Sequence, residues 1–222
     1  MIAPVFLVLG APATLALRAL RPATGNERGP REWLLWFLNS WITRILTNPF
    51  YVFIVYVIGL YGLYLTPAFG WLMSSHLGHL VMEAHFIISG YLFYWVVIGI
   101  DPRPRVLPYW GRLLLVLAAL AVHGIFALIL MLDPRPLAPE WFSLVRPEWL
   151  TDPVADSLRG SNVAWGLSEL PTLIVMVVIA IQWARSDDRE SRRRDRQADR
   201  DGDAELKAYN AYLAELAKRP RP

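Results

Sequence analysis

Four long apolar stretches set the terms for this chain: residues 49–66, 76–100, 110–132 and 161–184. About 20 apolar residues suffice to cross the hydrocarbon of a bilayer as a helix. Lipid offers the backbone no hydrogen-bond partner, so the crossing segments must be helical. A fifth stretch, residues 2–20, is shorter and interrupted by Pro4 and Pro12. A cleavable leader carries positive charge ahead of its apolar part, whereas here Arg18 and Arg21 follow it. The segment is therefore expected as a span or half-span. The expected fold is all-α: a polytopic transmembrane bundle of about five spans over residues 1–184, then a charged tail over 185–222.

Composition agrees. The 222 residues are 55% hydrophobic and 18% charged, against about 45–50% and roughly 25% in soluble domains. Residues 185–222 hold half of the Lys and Arg, while 50–65 hold none. Cytoplasmic loops are enriched in Lys and Arg. Placing the tail in the cytoplasm puts 18–48, 101–112 and 185–222 on the same side, with 19 of the 22 basic residues. The expected location is the plasma membrane, multi-pass, with the C-terminus cytoplasmic. The lipid bilayer is then one partner. The basic residues are spread over separate loops, and no nucleic-acid partner is expected. The absence of cysteine excludes disulfides, thiolate zinc sites and iron–sulfur clusters.

Residues 32–46, EWLLWFLNSWITRIL, are too short and polar to cross and suit an amphipathic helix on the inner leaflet. The tail mixes both charge signs densely and suits a solvated, charged helix. Beyond it, Leu206, Tyr209, Leu213 and Leu216 recur at helical spacing, fitting a partner, a membrane surface or a plain surface helix.

Ionisable groups inside hydrocarbon are costly unless paired or facing a cavity, which makes them functional candidates. These are His76, His79, Glu83, His85, His123 and Glu169. At about 1.5 Å per residue, His85, His123 and Glu169 each lie roughly 12–13 Å below the outer end of their own span. One polar group from each of three spans is thus expected in one layer. Above it, Met73, His76, His79, Met82 and His85 occupy every third position. Such a series spirals around a helix by about 60° per step, so successive sites or a relay suit it better than one ion. Imidazole with thioether and no thiolate favours copper over magnesium or calcium, and is compatible with zinc or iron. The candidate metal ligands are His76, His79, Met82, His85, His123 and Glu169. Packing alone is the competing reading of each. Glu83, four residues after His79, is a candidate to orient that imidazole. Pro171 removes a backbone donor and frees the carbonyl of Leu167 beside Glu169, so a local kink is expected. Asp152 and Asp156 suit the start of the fifth helix.

The strings VFLVLGAPATLALRALR, HFIISGYLFYWVVIGIDPRP, AVHGIFALILM, ADSLRGSNVAWGLSELPTL and RSDDRESRRRDR, in this order, resemble the CtaG-type membrane assembly factors of caa-type cytochrome c oxidases. The resemblance covers nearly the whole chain. It implies an assembly role with copper rather than catalysis, and cytochrome c oxidase subunits as partners. The matching positions are His79, His85, His123, Asp156, Trp165 and Glu169. Members of that family run on upstream of the VLGAP segment with further helices, so this sequence is expected to correspond to the C-terminal part of a longer domain. ADSLRGSN departs from the more Gly- and Gln-rich string usual there.

Three functions follow as expectations. The leading one is an oxidase assembly factor that receives copper from the outer side at His76, His79 and Met82 and holds it at His85, His123 and Glu169. Another is electron transfer, with His85 and His123 as axial ligands of a b-type haem. A third is copper transport or resistance, against which stands the lack of comparable ligands in the inner halves of the spans.

Overall fold

The computed structural model describes residues 2–24, 28–133, 135 and 137–218. Among them no strand occurs, and helices account for nearly all ordered backbone. The chain divides into two compact units, Met1–Ile179 and Ala180–Pro222.

In the first unit, α1 (Ile2–Leu9) and α2 (Pro12–Ala19) precede α3 (Pro30–Leu38) and α4 (Trp41–Leu46). Next come α5 (Pro49–Val57), which continues into a π-helical segment at Ile58–Gly62, and α6 (Ala68–Met73). The long helices α7 (His76–Ile98), α8 (Tyr109–Leu132) and α10 (Pro153–Asp201) follow, with short α9 (Pro139–Val145) between the last two. The expected spans 76–100 and 110–132 coincide with α7 and α8, and 161–184 lies inside α10. The segments long and apolar enough to cross a membrane are α7, α8, α10 and Ile2–Ala19, with Pro49–Gly62 shorter. The all-α bundle of about five spans is therefore the observed fold.

Local chemistry sets the boundaries. The Asn48 side chain accepts from the N–H groups of Phe50 and Tyr51 and starts α5, and Ser75 accepts from Gly78 to start α7. Asp152 accepts from Val154 and Ala155 at the head of α10, with Asp156 in its first turn. These oxygens satisfy helix N–H groups that have no intrahelical partner. Gly99 ends α7 in a left-handed conformation, φ 69°, which costs glycine nothing.

Three expectations are refined. Residues 2–20 reach span length only as two helices, broken at Gly10–Ala11 with Ala11 at φ 47°. Pro4 lies against Gly90 on α7, and Thr14 meets Asp101 beyond the end of α7. Helix α1 thus packs on α7 with Pro4 beside Gly90. Residues 32–46 form two helices, because Ser40 caps a second one through Thr43. Trp33, Trp36, Trp41 and Ile45 of this pair remain exposed. Pro171 is accommodated within α10, which the proline does not divide.

Helix α7 is the element on which α1, α5, α6 and α8 pack. Its C-terminal half supplies Phe93, Tyr94 and Val97, all fully buried, to a core shared with Val8, Val52, Val116 and Ile179. A smaller apolar cluster of Leu63, Phe69 and Met82 lies toward the other end.

The second unit contains the charged remainder of α10 and α11 (Ala204–Lys218). Pairs one turn apart, such as Glu190 with Arg194, add modest support to its exposed helix. A turn with Gly202 and Asp203 at positive φ separates the two helices. Leu206, Tyr209, Leu213 and Leu216 on α11 are all exposed.

Candidate functional site

At the N-terminal end of α7, the chain turns back sharply from α6. The position of a Cβ on Gly78 would lie 2.2 Å from the carbonyl oxygen of Leu72, so only glycine allows the approach. This fold-back places Met73, the last residue of α6, beside His79. The Met73 Sδ and His79 Nδ1 are 3.3 Å apart. The other ring nitrogen, Nε2, lies 3.1 Å from Glu83 Oε1. A carboxylate on one imidazole nitrogen fixes the tautomer and leaves the other nitrogen's lone pair available. His76 is exposed and shares a cavity of about 210 Å³ with Met73, His79 and Trp141 of α9. One imidazole and one thioether therefore touch at the surface, with a second imidazole beside them.

Deeper, α8 and α10 meet through His123 and Glu169. Their Nδ1 and Oε1 are 2.8 Å apart, and the side chains are 13% and 17% exposed. The opposite nitrogen, Nε2, lies 3.3 Å from the Ser168 hydroxyl. One turn further along α10, Thr172 shares a 2.8 Å hydrogen bond with the Tyr94 hydroxyl of α7. Tyr61 donates to the carbonyl of Val122 at 2.8 Å. His123 and Ser168 also line a largely apolar cavity of about 490 Å³, walled by Tyr56, Gly59 and Phe126 and reached by Asp156.

The remaining candidates fall elsewhere. His85 faces the π-helical segment, where a Cβ on Gly59 would sit 2.7 Å from its Nε2, and its ring lies 5.6 Å from that of Phe86. It is not among the walls of the cavity that His123 lines. Met82 is buried with Leu63 and Phe69. The three-span layer is thus realised between His123 and Glu169, while His85 has its own surroundings. Among the described residues, no three of His, Cys, Asp and Glu gather closely enough to hold one ion.

Sequence reasoning missed three contributors. Ser168 adjoins Glu169 in sequence, but a step of about 100° on the helix separates the two, so depth and facing did not point to it. Gly59 carried no signal, because a π-helical turn has no composition of its own. The contact of Met73 with His79 depends on the α6–α7 fold-back, which helical spacing across residues 73–79 does not show.

The profile of the cytochrome c oxidase caa3 assembly factor (Caa3_CtaG) family matches residues 1–186. Uncharacterized proteins of Mycobacterium bovis and Mycobacterium tuberculosis are each 46% identical over 224 residues. One of Mycobacterium leprae is 45% identical over 223. Each alignment covers all of this chain and 34% of the relative, so the chain spans about a third of their length. No solved structure matches.

Proposed function

This chain belongs to the cytochrome c oxidase caa3 assembly factor family, and we propose that it supplies copper, as cargo, to oxidase subunits during their assembly. The mouth is the cavity at the N-terminal end of α7. There Met73 and His79 present sulfur and nitrogen 3.3 Å apart, with His76 alongside. That contact carries the proposal. A thioether and imidazoles without thiolate form a soft set suited to copper. Glu83 orients His79, as partners of metal-bound imidazoles commonly do. The excess of basic residues in segments 18–48, 101–112 and 185–222 supports a mouth on the outer face of the plasma membrane, with the tail in the cytoplasm. Below the mouth come the Met82 thioether and then, at one level, the imidazoles of His85 and of His123, the latter held by Glu169. An assembly role of this kind calls for no bond-making step, and the family match supports a non-catalytic reading.

A b-type haem between His85 and His123 is less well supported. Two axial ligands must face one cavity, and His85 is not among the walls of the one that His123 lines.

The test is titration of the detergent-purified chain with copper(I) against a chromogenic chelator. Binding should weaken about tenfold or more in His79→Ala and in Met73→Ala, as for loss of one ligand or its orienting partner. Unchanged affinity in both variants removes the mouth from the proposal. In cells, the same variants should lower the yield of assembled oxidase.

A further inference from the structure

The opposite end of α7 carries two arginines, Arg103 and Arg112, that form no ion pair among the described residues. The Arg103 guanidinium folds back over Gly99 and donates from Nη1 to the carbonyls of Trp95, at 2.7 Å, and Val96. Those bonds finish α7 but bring no negative charge. Burial, with Arg112 adding its own repulsion, pulls the Arg103 pKa down to about 10. Arg112 donates from Nε to the Leu107 carbonyl at 2.9 Å and lies over the Tyr109 ring. Both arginines therefore rest on neutral groups.

Asp101, two residues before Arg103, is turned toward α2 instead. Asp101, 2% exposed, accepts from the N–H groups of Ala13 and Thr14 and from the Thr14 hydroxyl. Among the described residues, neither arginine has a carboxylate within ion-pair distance. Two donors at this end are enclosed without an acceptor: Trp95 Nε1 and Arg103 Nε. Buried donors are nearly always satisfied, and an orphan commonly marks a water or ion. Helix α8 adds a third feature. It begins at Tyr109 with Pro108 at its cap position and no side-chain acceptor, so its positive dipole end points at the same loop. Arg112 in that first turn makes the electrostatics worse unless an anion is present.

The surroundings say what kind of anion. Ile100, Val106 and Trp110 beside the arginines are 47%, 69% and 61% exposed, and Trp favours the headgroup level of a bilayer. We infer that Arg103 and Arg112, with the uncapped start of α8, hold the phosphate of an anionic phospholipid whose chains lie along Ile100, Val106 and Trp110. Basic pockets between transmembrane helices bind such headgroups. The site is independent of the copper mouth at the other end of α7.

The test adds short-chain phosphatidylglycerol to the detergent-purified full chain and follows thermal stability and retained lipid by native mass spectrometry. Phosphatidylcholine of the same chain length and glycerol 3-phosphate are the comparison arms. Phosphatidylglycerol should bind more tightly than either, and Arg112→Gln should weaken it about fivefold, as for one juxtamembrane basic residue. Arg103→Gln also removes the end of α7, so its effect counts only where the variant melts cooperatively; Arg112→Gln leaves that end intact. Arg193→Gln in the tail should change nothing. Equal binding of phosphatidylcholine, or no change in Arg112→Gln, overturns the inference. Equal binding of glycerol 3-phosphate overturns the lipid assignment in favour of a free anion.

Discussion

Thr14 and Asp101 meet across 87 positions of sequence, with the Thr14 N–H donating to the carboxylate at 2.8 Å and its hydroxyl at 2.7 Å. Ala13 N–H donates to the second carboxylate oxygen at 3.2 Å. Asp101 thus caps α2 from a distant loop, supplying the acceptor that Ala11 at the cap position lacks. A negative charge at a helix N-terminus is favourable for the same reason.

Asp101→Asn keeps the shape and loses the charge, so it should lower stability by about 2 kcal/mol, and Asp101→Ala by more. The measurement is unfolding in mixed micelles at increasing denaturing detergent. Indistinguishable curves for Asp101→Ala and the natural chain would show that α2 does not need this cap.

Gly59 and His85 make a close helix–helix approach beside the candidate site. Gly59→Ala would place a methyl group 2.7 Å from the imidazole and should cost about 1–3 kcal/mol as overpacking. Combining it with His85→Ala should recover much of that loss, because residues in contact are not additive. Additive losses in the double variant would mean that the two are not in contact.

His123 and Glu169 should behave as a unit. Removing either leaves the other a half-buried polar group without its partner, at about 1–3 kcal/mol. The double His123→Ala, Glu169→Ala variant should lose less than the sum of the two, by about 1 kcal/mol or more. A full double-mutant cycle measures this directly, and Glu169→Gln should be milder than Glu169→Ala because an amide still reaches the ring.

The two methionines near α7's start should separate cleanly. Met73→Leu removes the sulfur beside His79 and should weaken copper(I) binding about tenfold. Met82→Leu is a near volume-conserving change among Leu63 and Phe69 and should cost under about 1.5 kcal/mol, with copper affinity kept. The reverse order of effects would place the metal deeper, along the every-third-residue spiral.

The long spans were legible because a bilayer imposes one length and one hydropathy on every crossing helix, and α7 and α8 end within two residues of the expected limits. The pairing of His123 with Glu169 followed from depth alone, since both count inward from the same face. Depth says nothing of rotation, which is why His85, at a matching level, turns toward Gly59 instead. Asp101 was read only as part of a family string. Its work is capping α2, a contact between segments that no local pattern announces. The break at Gly10–Ala11 was partly legible in Pro12, which suits the first turn of a helix better than the middle of one.

The π-helical turn at Ile58–Gly62 has a consequence for chain length. Such a turn holds one residue more than the regular helix around it, so excising a single residue there would restore ordinary winding with almost no change in helix length. Residues on either side of the excision would keep nearly the same faces, whereas one residue removed from regular helix turns everything beyond it by about 100°. A single deletion should therefore be borne better within these five positions than in α7 or α8, its local cost falling on contacts such as that of the Tyr61 hydroxyl with Val122.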